Sequence, residues 1–179
     1  MAAASSNRAR ATAYEPPTNV EAVKATLRGI RRTIGQAPAR KAPATAERVR
    51  AMVLEADASP KGLRDRAILL LGFAGAFRRS ELVALDVADL EFCRGGLRVT
   101  IRKSKTDQER LGATIAIARG SIACPVNAVG TWIKASKLTK GPLFRPVTRT
   151  GNILARRLSA RAVADLVKCY AGWAEGCGI

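Results

Sequence analysis

Apolar residues first recur at helical spacing between positions 19 and 34. Val20, Val23, Leu27, Ile30 and Ile34 form one stripe, Asn19 is a candidate N-cap, Glu21 falls in the first turn, and Lys24, Arg28, Arg31 and Arg32 crowd the remaining surface. Gly35 offers a stop, and Gln36–Ala44 (QAPARKAPA) has the proline and Lys/Arg content of an extended linker. A second helix is predicted after Thr45, with Val49, Met52, Val53 and Ala56 on one stripe, and Ala58-Ser59-Pro60-Lys61-Gly62 breaks it. The next helix, from about Leu63 to Ala76, opens on Arg64, Asp65 and Arg66. It then becomes apolar on all sides with Ile68, Leu69, Leu70, Leu71 and Phe73, as a helix in the middle of a fold does. It delivers the chain to Phe77-Arg78-Arg79-Ser80-Glu81, where Ser80 is a candidate cap for a short helix through Leu85.

After Asp86 the period changes from helical to alternating. Leu90 and Phe92 precede a Gly95-Gly96 turn, Leu97, Val99 and Ile101 share one face of a strand, and Ile115 and Ile117 share one face of another. Between the last two lies the polar run Lys103-Ser104-Lys105-Thr106-Asp107-Gln108-Glu109-Arg110, so a three-stranded antiparallel sheet with a polar hairpin tip is expected. Pro125 fits the first position of a further helix carrying Val126, Val129, Trp132 and Ile133. A basic stretch follows, with Lys134, Lys137, Lys140, Arg145, Arg149, Arg156 and Arg157 and no acid from 134 to 157. The last predicted helix is capped by Ser159 and places Val163, Leu166, Val167 and Tyr170 on one stripe. Residues 1–18 are small, polar and proline-containing, which predicts a disordered leader.

Charge narrows the partner. The chain has 31 Lys and Arg against 14 Asp and Glu, a net charge of +17. Such a surplus favours a polyanion, because each neutralised phosphate releases condensed counterions. Two Trp, two Tyr and four Phe are too few for a stacking platform on single strands, so duplex backbone contact is favoured. No apolar run approaches the roughly 20 residues of a membrane span, and the N-terminus lacks a secretory layout, which points to a cytoplasmic chain with no membrane partner. Cys93, Cys124, Cys169 and Cys177 form no C-x-x-C pair, and there is no histidine to complete a metal set, so free thiols and no metal or cofactor are expected.

The string Gly72-Phe73-Ala74-Gly75-Ala76-Phe77-Arg78-Arg79-Ser80-Glu81-Leu82-Val83-Ala84-Leu85 resembles the first signature box of the tyrosine recombinases (phage integrases), in which an arginine lies three residues before a glutamate. The next segments keep the family's order: a strand pair, then Lys103-Ser104-Lys105-Thr106 at a hairpin tip, then the strand Thr114–Ile117. The later Gly141-Pro142-Leu143-Phe144 and the helix from Ser159 to Ala171 resemble segments that precede the family's second box, and Asn19–Gly35 resembles the last helix of its N-terminal core-binding domain. The resemblance implies an α+β, mainly α fold, a truncated recombinase catalytic domain with a small three-stranded antiparallel sheet. Its implied organisation is a leader at 1–18, a core-binding helix at 19–35, a linker at 36–44 and a partial catalytic domain at 45–179.

Chemistry supports those residue types. Transesterification at a phosphodiester needs charge stabilisation on the nonbridging oxygens, a nucleophile and a proton donor for the departing oxygen. Arginine suits the first role because its fixed fork pairs bidentately with phosphate and keeps its charge. By resemblance Arg78 takes that role, and Lys105 protonates the leaving 5′ oxygen, with Lys103 the fallback. Glu81 either orients these basic groups or is an ordinary first-turn acid. Expected phosphate contacts are Lys24, Arg28, Arg31, Arg32, Arg79, Lys103, Arg145, Arg149, Arg156 and Arg157. The family's His-x-x-Arg box and its nucleophilic tyrosine have no counterpart here: Tyr14 lies in the leader and Tyr170 on the apolar stripe of the last helix. The expected function is therefore a duplex-DNA-binding fragment of a site-specific recombinase, not cleavage-competent alone, with full-length recombinase protomers as further candidate partners and no small-molecule substrate. The alternative is a non-catalytic basic DNA-binding or regulatory protein that competes with or assembles into recombinase complexes.

Overall fold

Capping residues and buried stripes set the element boundaries. The computed structural model describes residues 20–34, 43–102, 112–120 and 122–175, and the chain divides into two units between Pro43 and Ala44. The first unit contributes helix α1 (Glu21–Ile34), whose Val23, Leu27 and Ile30 are exposed.

In the second unit, Thr45 caps α2 (Ala46–Leu54) by accepting a hydrogen bond from the Arg48 N–H at 3.3 Å, and Val49, Met52, Val53 and Ala56 are buried as their spacing predicts. Helix α3 (Pro60–Ala74) begins earlier than expected. Ser59 is its N-cap, accepting from the Gly62 N–H at 3.1 Å, and Pro60 occupies its first turn. The Ser-Pro pair that resembles a breaker is thus a start. Gly62 is required there, since a Cβ would lie 2.1 Å from Asp57 Oδ1. Ala67 to Leu71 are buried, whereas Phe73 is exposed, so α3 is enclosed along its middle and open at its carboxyl end.

Helix α4 (Arg79–Ala84) leads through a 3-10 turn (Val87–Asp89) into β1 (Leu90–Cys93), β2 (Gly96–Ile101) and β3 (Ala113–Ala118), paired antiparallel in the order β1-β2-β3. Cys93 pairs with Gly96 and Ile101 with Ala113. Gly96 therefore belongs to the strand rather than to the turn. A Cβ on it would meet the Ile117 carbonyl oxygen at 2.1 Å, which makes glycine obligatory for this register. Leu97, Val99, Ile101 and Ile117 face the core, while Phe92 is exposed.

Helix α5 (Pro125–Ser136) packs along α3, and α6 (Ala160–Ala174) packs on α2, α3 and α4. Trp132 on α5 is fully buried and its indole N–H donates to the Leu143 carbonyl at 2.8 Å, so the largest core side chain also fixes the chain segment after α5. That segment is further held by bridges between Asp86 and Pro142 and between Val147 and Ile153. Ser159 caps α6 by accepting from the Ala162 N–H at 3.1 Å.

Candidate active site and nucleic-acid interface

The chain turns sharply between α3 and α4. Gly75 ends α3 with its N–H on the Leu71 carbonyl, Ala76 adopts a left-handed conformation (φ 48°), and the Phe77 N–H donates to the Gly72 carbonyl at 3.1 Å. A non-glycine residue held there costs roughly 1–2 kcal/mol. The strain goes into placing Arg78 at the N-cap of α4 rather than inside a helix.

Glu81, not Ser80, does the capping. Its Oε2 accepts from the Arg78 backbone N–H at 2.9 Å and its Oε1 from Arg78 Nη1 at 2.7 Å. The carboxylate is buried at 8% exposure, while the Arg78 side chain is 52% exposed. One edge of the guanidinium is thus clamped to a buried carboxylate and the group still faces solvent, an orientation suited to receiving a phosphate oxygen pair.

The other end of α4 is held by Arg157. Its Nη1 donates to the Val83 and Leu85 carbonyls at 2.7 and 3.1 Å, and its Nη2 to Asp86 Oδ1 at 2.6 Å. A six-residue helix cannot hold itself, so these bonds replace the missing turns. Asp86 also faces Arg102 Nη1 at 3.5 Å, and Arg102 Nε donates to Asp89 Oδ1 at 2.6 Å. A line of alternating charge therefore joins the end of α4 to the end of β2. Sequence patterns gave no hint of it, although the Asp86-x-x-Asp89 spacing just after a short helix is its one local trace.

The remaining expected contacts divide clearly. Arg79, Arg149 and Arg156 are exposed. Arg145 is folded back onto the Pro142 and Lys140 carbonyls at 3.2 and 2.8 Å, and Arg157 is committed to the end of α4, so a phosphate would have to compete with internal bonds for either. Lys24 and Arg28 are exposed on α1, with Arg28 paired to Glu21. Lys103 and Lys105, and the side chains of Arg31 and Arg32, lie outside the described residues, as do Asn19, Tyr14 and Cys177.

Tyr170 is core. It is 5% exposed, its hydroxyl donates to Asp65 Oδ2 at 3.2 Å, and its ring meets Trp173 edge-on. Burial, then the charge of Asp65 and this hydrogen bond, push its pKa well above the usual tyrosine value, which holds the phenol protonated. Among the described residues no cluster of His, Cys, Asp or Glu has the makings of a metal site, and no helix is long and apolar enough to cross a membrane.

The family model for the phage integrase family matches residues 44–168. The chain belongs to that family. Its mainly helical second unit with a three-stranded antiparallel sheet is a partial tyrosine-recombinase catalytic domain. An integrase/recombinase XerD homolog from Selenomonas ruminantium is 39% identical to it over 155 residues, which is 85% of this chain and 46% of that protein. Tyrosine recombinases XerC from Pelotomaculum thermopropionicum and Syntrophus aciditrophicus are 32% and 34% identical over 111 residues, covering 34% and 33% of their lengths. The chain thus spans a third to about half the length of the curated relatives it matches. Arg78 and Glu81 lie inside the stretch matched to the phage integrase family, and so does the segment carrying Lys105.

Proposed function

We propose that this polypeptide binds duplex DNA as a piece of a tyrosine-type site-specific recombinase, and that alone it does not cleave the strand. The observation that carries the reading is the Arg78–Glu81 pair: a half-exposed guanidinium whose one edge is held at 2.7 Å by a buried carboxylate. Arg78 donates to the nonbridging oxygens of one phosphate, and Glu81 positions it. Lys105, beyond β2 in sequence, supplies the proton for the leaving 5′ oxygen when a nucleophile is present. The XerD- and XerC-type names of the relatives support DNA recombination as the process. The 19–35 helix acts as the last helix of a core-binding domain, 36–44 as the linker, and the exposed Lys24, Arg79, Arg149 and Arg156 add phosphate contacts.

Cleavage in such a reaction forms a phosphotyrosyl ester as the 5′ oxygen takes a proton and leaves. These 179 residues hold no histidine, Tyr14 precedes the whole stretch matched to the family, and Tyr170 is buried against Asp65, which supports a nucleophile and second box supplied by further polypeptide. Full-length recombinase protomers are the proposed source.

The test is duplex binding by the whole chain across a salt series, compared between wild type, Arg78→Ala and Arg156→Ala. Affinity is expected to fall steeply with salt for all three. Arg78→Ala is expected to weaken binding about ten-fold or more, and Arg156→Ala much less, because only the former removes a preorganised charge-assisted fork. Equal losses, salt-insensitive binding, or a covalent DNA adduct on the purified chain would overturn the reading.

A further inference from the structure

Away from Arg78, a cleft of about 390 Å³ opens between α2, α3 and the amino end of α5. Its charged lining is Arg50 and Arg66, and no acid lines it. The Arg66 Nη2 donates to the Ala56 carbonyl at 2.6 Å, but its Nε is fully buried and is the one such side-chain nitrogen or oxygen among the described residues with no hydrogen-bond partner. A buried charged donor without an acceptor is costly, and it leaves the partly exposed Arg66 guanidinium underpaired where it lines the cleft. The amino end of α5 adds positive potential, and there the Cys124 thiol has a lowered pKa: burial opposes its ionisation, but the N–H groups of Asn127, Gly120 and Val126 and the nearby Arg119 outweigh it.

The rim of the same cleft is apolar. Leu54 and Ile122, exposed by 82% and 72%, are the most exposed large apolar residues among those described, and both line it, with Val53, Leu63 and Leu70 behind them. Exposed apolar walls around a basic floor do not suit duplex DNA, whose outer surface is phosphate and whose bulk cannot enter a cleft this small. They suit a side chain that is itself apolar beside a carboxylate, and Arg next to apolar anchors is the usual composition of a protein-binding core.

We propose that this cleft docks an acidic, apolar peptide segment of a partner protein, with an apolar side chain against Leu54, Leu63 and Ile122 and a carboxylate on Arg66 and Arg50. The surface is separate from the Arg78 site in residues and in chemistry, so its fate does not depend on DNA binding.

The experiment displays a library of short peptides, randomised among Asp, Glu, Leu, Ile, Phe and Ser, against the immobilised full chain, and measures the best binder by fluorescence anisotropy. Acidic peptides with adjacent apolar residues are expected to enrich. Arg66→Met and Leu54→Ser should each weaken the best binder by about ten-fold, Arg78→Ala should leave it unchanged, and saturating duplex DNA should not displace it. Leu54 is exposed, so its variant keeps the fold even if loss of the Arg66 bond to Ala56 disturbs α3. No enrichment, binding indifferent to both substitutions, or displacement by duplex together with loss in Arg78→Ala would overturn the proposal, the last outcome making the cleft part of the DNA surface.

Discussion

Asp65 offers the sharpest test of how this domain is held together. It sits on α3 with its side chain 1% exposed, beside Arg64 at 8%. Its Oδ1 accepts from Arg64 Nε and Nη2 at 2.8 and 2.6 Å, and its Oδ2 from the Tyr170 hydroxyl at 3.2 Å. Arg64 has one further bond, from Nη1 to the Arg145 carbonyl at 3.2 Å, so the cluster joins α3 to α6 and to the basic segment after α5. Asp65→Ala strips three of these hydrogen bonds and leaves a buried guanidinium with a single carbonyl. Breaking a buried pair in this way costs about 3–5 kcal/mol, a large share of the ~5–15 kcal/mol that a domain has in total.

Yet the pair itself is expensive. Burial pushes the Asp65 carboxyl up by more than the Arg64 charge and the Arg64 and Tyr170 hydrogen bonds pull it down, so desolvation outweighs pairing. Replacing the whole cluster by apolar groups, Arg64→Met with Asp65→Leu and Tyr170→Phe, is therefore expected to match wild type or exceed it by about 1–4 kcal/mol. The pH dependence has a definite sign. A folded pKa above the unfolded value of about 3.9 means that the native state holds this proton more tightly. Its contribution is full below that value and is lost as pH rises through the folded pKa, and the triple variant lacks this loss. Urea unfolding followed by tryptophan fluorescence measures all of it, since Trp132 is fully buried and Trp173 packs on Tyr170 at a centroid distance of 5.1 Å. An Asp65→Ala midpoint equal to wild type, or a triple variant less stable than the single one, would rule this account of the cluster out.

Arg157→Met removes the donors that close α4 and is expected to cost about 1.5–3 kcal/mol, with amide exchange across Arg79–Ala84 accelerated more than elsewhere; unchanged exchange there would show that α4 stands without it. On the alkaline side, the raised pKa of Tyr170 means that the unfolded chain releases this proton first, so stability is expected to fall by up to about 1.4 kcal/mol per pH unit above pH ~10. Tyr170→Phe removes that slope, and an identical alkaline profile for the two chains would contradict the burial argument.

How much could be read in advance depends on how local each signal is. The Thr45 and Ser159 caps, the strands of β2 and β3, and the stripes on α2 and, apart from the exposed Val167, on α6 need only neighbours three or four residues away, or two away in a strand, and these signals lie in the sequence itself. Ser59-Pro60 defeats the same logic because a residue pair that ends one helix is chemically the pair that begins another. Phe73 lies on an apolar run whose period cannot tell that the carboxyl end of α3 is uncovered. Ser80 lost to Glu81 as cap because the longer carboxylate reaches both the backbone N–H and the guanidinium of Arg78. The placement of Arg145 and Arg157 was not legible at all: an arginine in an acid-free stretch looks phosphate-facing until the distant carbonyls it serves, Val83 and Leu85 for Arg157, are brought beside it.

The acid-paired arginines also sharpen what the large positive charge can mean. Arg64, Arg78, Arg102 and Arg157 are matched by Asp65, Glu81, Asp89 and Asp86, one acid for each. Pairing at equal numbers leaves the surplus of +17 intact and moves it onto the other basic residues of the chain. A diffuse surplus attracts any duplex through counterion release and carries no preference for one phosphate over the next. Selectivity for a single phosphate needs a cation whose direction is fixed, and the proposed role of Arg78 draws on its buried partner and solvent-facing side chain. On the proposed function, attraction and positioning fall to different residues, which is why one substitution at 78 is expected to outweigh the loss of any one exposed charge.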